Sequence, residues 1–141
     1  MAVEYSYPLV QTVANGGENV LFLNGDRCCK KGLINHNDSS GIFRLKGTGC
    51  KAIYKVQFVG NIAVATGGTV GAISVAITQN GEVLRNAVAT VTPAAVGAFN
   101  NVTVSTFIEL PCGCCDTITV ENISGTPIDV INANIIIDRV A

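Results

Sequence analysis

Short runs of alternating apolar and polar residues, each ended by turn-forming residues, recur along the whole chain. Alternation with a period of two places one face of an extended strand on a core and the other toward water. The segment Ala72 to Gln79 shows this pattern plainly, with Ile, Val and Ile at alternate positions. Asn80-Gly81 follows it, and this dipeptide is the strongest short signal for a tight hairpin turn. Glu82 to Val88 is therefore predicted to return as an antiparallel strand.

Seven further runs share this pattern. They are Leu9 to Val13, Asn19 to Leu23, Ile42 to Leu45, Ala52 to Val59, Asn101 to Leu110, Asp116 to Asn122 and Ile128 to Val140. We therefore predict about nine strands. Because the sequence contains no linker and no internal repeat, we expect one all-β domain of two packed antiparallel sheets over residues 9–141. Residues 1–8 precede the first predicted strand and are treated as a separate segment.

Three other stretches are predicted to be loops. Asn35 to Gly41 is polar and rich in turn residues. Thr92 to Ala98 allows a helical turn, because Thr92 can cap it and Pro93 suits the first helical position, but a loop fits its composition better. Gly67 to Gly71 lacks the Lys and the following helix of a phosphate-binding loop, so it is interpreted as a corner between strands.

The composition favours a protein that contacts other protein chains. Apolar residues make up 48% of the sequence and charged residues 13%, against about 25% charged residues in a typical soluble domain. A surface with so few charges exposes apolar patches, and such patches commonly mark contact sites. The formal net charge is -1 and Lys30-Lys31 is the longest basic run. This excludes the basic footprint that a nucleic-acid backbone requires.

The N-terminal residues Met1 to Pro8 lack the basic and apolar regions of a secretory signal. We therefore expect synthesis in a cytoplasm. The longest uninterrupted apolar runs, such as Val20 to Leu23, have four residues, far short of the roughly 20 residues that span a bilayer. The sequence thus predicts no membrane partner.

His36 is the only histidine, and Asp38, Ser39 and Ser40 follow it closely. Members of a catalytic triad are brought together from separated elements, whereas these residues share one turn-like stretch. We interpret them as a surface loop. A cupin-type metalloenzyme would need several His and carboxylate ligands, so a single histidine disfavours it. The sequence therefore predicts no enzyme activity and no cofactor.

The six cysteines allow three interpretations, which stay open at this point. They are Cys28-Cys29, Cys50, Cys112, Cys114 and Cys115. A metal site is disfavoured because only one Cys-x-x-Cys spacing, Cys112 to Cys115, is present, and structural zinc usually uses two such pairs. Disulfides are disfavoured because no secretion signal is found. Buried free thiols that act as small apolar side chains are the favoured interpretation.

Several segments, read together, resemble small proteins encoded by phages and prophages of gut Firmicutes. The segments are Ser40 to Leu45, Tyr54 to Ala63, Asn80-Gly81-Glu82, Cys114 to Asn122 and Asn132 to Val140. The resemblance covers most of the chain from about Leu9 onward. These proteins in turn are similar to the jelly rolls of complement and tumour-necrosis-factor proteins and of bacterial collagen-like spore-surface proteins.

The resemblance implies an antiparallel two-sheet jelly-roll sandwich that forms a homotrimer, with the terminal strand in the inner sheet. Unlike the stalked relatives, this sequence has no Gly-x-y repeats, which favours a free-standing protein. We therefore expect a virion structural protein, a trimeric capsid decoration or head-fibre protein that binds the capsid protein on the particle surface.

Two sets of residues are predicted to make these contacts. Apolar residues of the inner-sheet strands are candidates for the trimer interface, although half of them must fill the core. They are Tyr54, Val56, Phe58, Val102, Val104 and Ile135. Residues 1–8 have no predicted partner strand and are the candidate docking segment, with Tyr5, Tyr7 and Pro8 as contact residues.

The rival interpretation is a lectin-like module that binds host-surface glycans through the loops around His36 and Pro93. Asn residues such as Asn100-Asn101 and Asn122 could bind sugar hydroxyls. Asn in strand ends more often bonds its own backbone, and aromatic residues for sugar stacking are scarce because the sequence has no Trp.

Overall fold

The computed structural model describes residues 2–23, 34–37, 39–47, 51–111 and 115–141, and within them ten strands and no helix are found. In chain order the strands are β1 (Ala2–Tyr7), β2 (Gln11–Val13), β3 (Ile34–His36), β4 (Phe43–Leu45), β5 (Ala52–Val64), β6 (Ile73–Gln79), β7 (Glu82–Val91), β8 (Asn100–Leu110), β9 (Asp116–Asn122) and β10 (Ile128–Arg139). All pairings are antiparallel. They confirm the predicted all-β architecture of two sheets.

The first sheet has the strand order β1-β10-β5-β8, and β2 pairs with the end of β10 that β1 leaves unpaired. The second sheet has the order β3-β4-β9-β6-β7. The antiparallel registers place both described chain ends, Ala2 and Ala141, at one end of the sandwich. The loops after β2, β5, β7 and β9 lie at the other end, which we call the loop end.

Apolar side chains at alternate strand positions form the core between the sheets. In β8 every second residue from Val102 to Leu110 is buried, and the residues between them are exposed. Buried residues also lie opposite buried residues on the neighbouring strands, since Phe58 of β5 pairs with Val104 of β8 on one side and with Ile135 of β10 on the other. Burying one such side chain contributes roughly 1.5–3 kcal/mol. The core therefore fixes which face of each strand points inward.

The prediction that residues 1–8 lack a partner strand is wrong. Residues Ala2–Tyr7 form β1 and pair with β10 over six positions. Val3 and Tyr5 are buried, and Tyr5 packs its ring against Phe43 with 5.1 Å between centroids. The physical reason is visible in the sequence, since apolar and polar residues alternate here as in the other strands. The sequence prediction began its first strand only at Leu9 and therefore did not include β1.

The predicted strand Asn19 to Leu23 is instead a segment that crosses the sandwich edge. It forms single bridges to the second sheet, Asn19 with Glu121 and Phe22 with Ser40. The amide of Gln11 takes the place of a strand partner, because it accepts from the main-chain N–H of Leu21 at 2.8 Å and donates to its carbonyl at 2.9 Å. Phe22 is fully buried and closes this edge of the core.

Most other predicted strands are confirmed, with β5 and β7 longer than expected. The hairpin at Asn80-Gly81 is also confirmed, since both residues have positive φ, 53° and 82°, as a primed turn requires. β3 was missed because the predicted loop from Asn35 to Gly41 includes its last two residues. The predicted corner at Gly67 to Gly71 and the predicted loop at Thr92 to Ala98 contain no strand or helix.

The side-chain amide of Asn122 connects two segments of the chain at the loop end. This residue is fully buried. Its Nδ2 lies 3.1 Å from the carbonyl oxygens of Val13 and Thr126 and 3.3 Å from that of Ala14. Its Oδ1 accepts from the N–H of Ser124 at 2.9 Å. One amide therefore satisfies main-chain groups from the turn after β2 and the loop between β9 and β10.

Replacing Asn122 with Ala should lower the free energy of unfolding by about 3 kcal/mol, because several buried main-chain groups lose their partner. Urea denaturation measures the loss. The matched control is Asn100→Ala, an exposed position at the start of β8, which should change stability by less than about 0.5 kcal/mol. Equal effects of the two variants would contradict the role given to Asn122.

Tyr5→Ala tests whether β1 belongs to the core. The variant should lose about 3 kcal/mol of unfolding free energy, since a buried aromatic ring is removed from between the sheets. Pro8→Ala, at an exposed position just after β1, serves as the control and should have little effect. A Tyr5→Ala protein as stable as the control would show that β1 is not packed as described.

Candidate functional site

The six predicted trimer-interface residues all lie in the core of a single chain. Val102 and Val104 retain a few per cent of exposed surface, and the other four are fully buried. A side chain enclosed by its own chain has no surface left for a partner. The interface assignment therefore does not fit these residues, because the apolar face of β5, β8 and β10 is the one that packs against the second sheet.

The opposite side of the first sheet is the one available for contacts, and we call it the outer face. Its members alternate along the strands with the six core residues. They are Glu4 and Ser6 of β1, Asp129, Ile131, Asn134, Ile136 and Asp138 of β10, Ile53, Lys55, Gln57, Val59 and Asn61 of β5, and Asn101, Thr103, Ser105, Phe107 and Glu109 of β8.

Phe107 is the most exposed aromatic side chain of the outer face, with 65% of its surface accessible. It pairs with Lys55 across the β5–β8 ladder. Together with Asn86 of β7, these residues line a cavity of about 260 Å³ at the edge where the two sheets meet. A large apolar ring beside a concavity is a common arrangement at protein contact sites.

Asparagine side chains form a hydrogen-bonded row across the outer face. Asn101 of β8 donates to Oδ1 of Asn61 at 3.2 Å, and Asn61 donates to Oδ1 of Asn132 at 3.5 Å. Asn132 lies in a bulge of β10 and has a φ of 56°. This row places hydrogen-bonded neutral polar groups on the half of the outer face that is nearer the loop end.

The predicted docking residues have different environments. Tyr5 is only 6% exposed, and burial raises the pKa of its phenol above the usual value. Tyr7 is half-buried against the core, whereas Pro8 is exposed and leads into Leu9 and Val10, which are also exposed. The surface available for docking is therefore the turn from Pro8 to Val10. Docking itself stays a prediction.

His36 is held in an aromatic cluster. Its ring stacks on Phe43 with 4.4 Å between centroids and contacts Tyr5 at 4.7 Å. Its Nε2 lies 2.7 Å from the main-chain oxygen of Ser40, while the hydroxyl of Ser40 accepts from the N–H of Ile42. Histidine and serine are thus not arranged as base and nucleophile. Asp38, the carboxylate of the hydrolytic alternative, lies outside the described residues.

A polar cavity of about 370 Å³ lies on the outer side of the second sheet. Its described lining comes from β3, β4, their connecting hairpin and β9. The lining residues are Asn35, His36, Asn37, Ser40, Ile42, Arg44 and Thr117. The sequence predicted a loop from Asn35 to Gly41, and it placed Arg44 and Thr117 in strands without identifying them as site residues. Their alternation with buried Phe43, Leu45 and Ile118 could have placed them on one outer face.

The loops around His36 and Pro93 do not form one site. His36 ends β3 at one edge of the second sheet, and Pro93 follows β7 at the other edge. Four strand spacings separate these edges, roughly 19 Å. The glycan site predicted from both loops together is therefore wrong in its geometry, although the His36 side retains a cavity of its own.

Five of the six cysteines, Cys28, Cys29, Cys50, Cys112 and Cys114, lie outside the described residues, so the three interpretations are not tested for them. Cys115 is half-buried just before β9. Within the described ranges, no group of three or more His, Cys, Asp or Glu side chains is placed to hold a metal ion.

Two further titratable groups are influenced by burial. The hydroxyl of Tyr54 donates to the carbonyl of Lys46 at 2.7 Å, and burial raises its pKa while the charge of Arg139 lowers it. Burial also raises the pKa of the Glu121 carboxyl, which lies beside Gly17. Glu121 lies at the margin of the sandwich, whereas the ring of Tyr54 lies in the core.

None of the described residues belongs to a helix that could cross a membrane.

Comparisons with known proteins show what this architecture resembles. No family model and no curated protein matches the chain. Among solved structures, the globular domain of the zebrafish complement 1qA protein is similar with a TM-score of 0.59 and 11% identity, covering 99% of this chain and 94% of that one.

Two tumour-necrosis-factor-type structures are also similar. The Eiger TNF of S. frugiperda has a TM-score of 0.65 and 13% identity, covering 100% of this chain and 92% of that one. Murine APRIL has a TM-score of 0.65 and 14% identity, covering 98% and 99%. The chain therefore has the jelly-roll fold of complement and tumour-necrosis-factor domains, as the sequence resemblance predicted.

Proposed function

We propose that this chain is a non-enzymatic structural module that forms a homotrimer and decorates the capsid of a phage particle, as a decoration or head-fibre protein. The observation that carries the assembly step is the outer face of the first sheet. It is four strands wide and combines exposed or half-buried Ile, Val and Phe side chains with neutral polar groups.

Charge supports contact through this face. Its charged members are Glu4, Lys55, Glu109, Asp129 and Asp138. Two of the carboxylates already have partners, since Glu109 forms an ion pair with Lys51 at 3.6 Å between Nζ and Oε1, and Asp129 accepts from the hydroxyl of Thr12 at 2.6 Å. In a symmetric oligomer identical groups approach one another, so a face with many like charges would be repelled. The sparse charge of the outer face permits close approach of several copies.

The threefold symmetry in this proposal comes from the resemblance to tumour-necrosis-factor and complement jelly rolls. The particle surface comes from the resemblance of the sequence segments to phage-encoded proteins. The exposed turn from Pro8 to Val10 is the proposed capsid contact, because Leu9 is 69% exposed and Val10 is also exposed. This turn lies at the edge of the first sheet, beside β1 and β2.

A second candidate function is ligand binding, and the polar cavity beside Arg44 favours it. Its volume lies near the lower end of the roughly 300–1,000 Å³ typical of small-molecule sites. Because the cavity is on the second sheet, a ligand-binding role is compatible with assembly through the first.

Phe107→Asp should dissociate the assembly. A carboxylate in place of the exposed ring would be repeated in each copy and buried without a partner, which costs several kcal/mol. We expect sedimentation analysis to change from three chains for the parent protein to one for the variant. Val96→Asp is the control, because Val96 is an exposed apolar residue in the loop between β7 and β8 and not on the outer face, and this variant should remain trimeric. A trimeric Phe107→Asp protein would contradict an interface at this face.

Leu9→Asp should weaken capsid attachment without changing the trimer, since it places a charge in the proposed apolar contact. Attachment is measured by co-sedimentation with capsids of the parent phage that lack this protein. Val70→Asp at the loop end is the control, because Val70 is 49% exposed and lies away from the Pro8 turn. Unchanged co-sedimentation of Leu9→Asp, or no binding by the parent protein, would exclude this contact.

A further inference from the structure

Two pairs of neighbouring side chains on the outer face each combine one charged group with one apolar group. Lys55 of β5 lies directly opposite Phe107 of β8, which is one edge strand of the first sheet. Glu4 of β1 lies directly opposite Ile136 of β10, at the other edge. Directly opposite residues on adjacent strands have Cβ atoms about 4.5–5.5 Å apart. The two pairs therefore have the same spacing and opposite charges.

The two pairs also differ in how far they are exposed. Phe107 is 65% exposed and Lys55 is exposed as well, and both border the cavity of about 260 Å³ beside β7. Ile136 and Glu4 are half-buried. An exposed aromatic ring that packs on a half-buried isoleucine removes apolar surface from water, and this stabilises the contact.

The charged member of each pair can make an ionic contact with another copy. Neither Lys55 nor Glu4 has an ion-pair partner among the described residues. Oε2 of Glu4 accepts from Nδ2 of Asn134 at 3.0 Å, and this hydrogen bond orients the carboxylate. Within one chain, β10 lies between β1 and β5. The strands that carry Glu4 and Lys55 are thus two strand spacings apart, roughly 10 Å.

The other carboxylates of the outer face fit Lys55 of another copy less well. Glu109 and Asp129 already have the partners described above. Asp138 lies directly opposite Lys55 in its own chain, so no second copy is needed to bring these two residues together. Glu4 is therefore the carboxylate that best complements Lys55 between copies.

We propose that Phe107 and Lys55 of one copy contact Ile136 and Glu4 of the next copy. In a closed ring of three copies, each contact joins two different patches of neighbouring copies. The two edges of the outer face supply such a pair of patches, because Phe107 can pack on Ile136 while Lys55 meets Glu4. This inference rests on the proposed homotrimer and names the residues that each copy contributes to the interface.

Charge reversal tests the pairing. Lys55→Glu and Glu4→Lys each bring like charges together, so each single variant should raise the concentration at which half of the protein is trimeric at least about tenfold. The double variant restores opposite charges with the pair inverted, and its midpoint concentration should return to within about threefold of the parent value. Sedimentation velocity over a dilution series measures these midpoints.

Lys55→Glu combined with Glu82→Lys is the matched control, because Glu82 is exposed on β7 of the second sheet and this variant also restores the net charge. It should assemble as weakly as Lys55→Glu alone. Single variants that assemble as tightly as the parent, a double variant that is not restored, or equal rescue by Glu82→Lys would overturn the pairing and leave the homotrimer in place. A parent protein that sediments as one chain would instead overturn the homotrimer, and the pairing with it.

Discussion

The register of β5 with its two neighbours determines which side chains this protein offers to others. β5 pairs along its length with β8 on one side and with β10 on the other. Since side chains alternate across a strand, a shift of one residue would exchange the core and the outer face. Tyr54, Val56 and Phe58 fill the sandwich only because this register holds, and Lys55, Gln57 and Val59 face outward for the same reason.

The positions of most strands were predictable from the sequence. The hairpin at Asn80-Gly81 and the bounds of β9 follow from turn residues and a period of two, which are local properties. The placement of Asn19 to Leu23 was not predictable in this way. It depends on Gln11 substituting for a strand and on Phe22 filling the edge of the core, and both contacts are made in the tertiary structure.

The candidate sites were harder to predict for the same physical reason. An apolar strand residue such as Phe58 can face a core or a partner chain, and composition does not distinguish the two. Only the positions of both sheets show that the apolar face is enclosed. Alternation could place Arg44 and Thr117 on the outward faces of their strands, but it could not show that they are neighbours. Arg44 pairs with Asn35 and with Thr117 only because β3, β4 and β9 lie side by side in the fold.

The two proposed surfaces lie on opposite sides of the sandwich, which has a functional consequence. Assembly through the outer face of the first sheet leaves the outer side of the second sheet exposed. Each copy in a trimer would then present its own Arg44 cavity away from the symmetry axis. If these cavities bind a ligand, several copies on one particle would bind a multivalent form of it more tightly than a single copy does.

We propose that copies of the chain assemble without covalent links between them. Light scattering of the purified protein, with and without a thiol reductant, tests it most directly, because the chain carries six cysteines. We expect the mass of three chains of 14.6 kDa each under both conditions. A single-chain mass, or a trimer that the reductant converts to single chains, would contradict it.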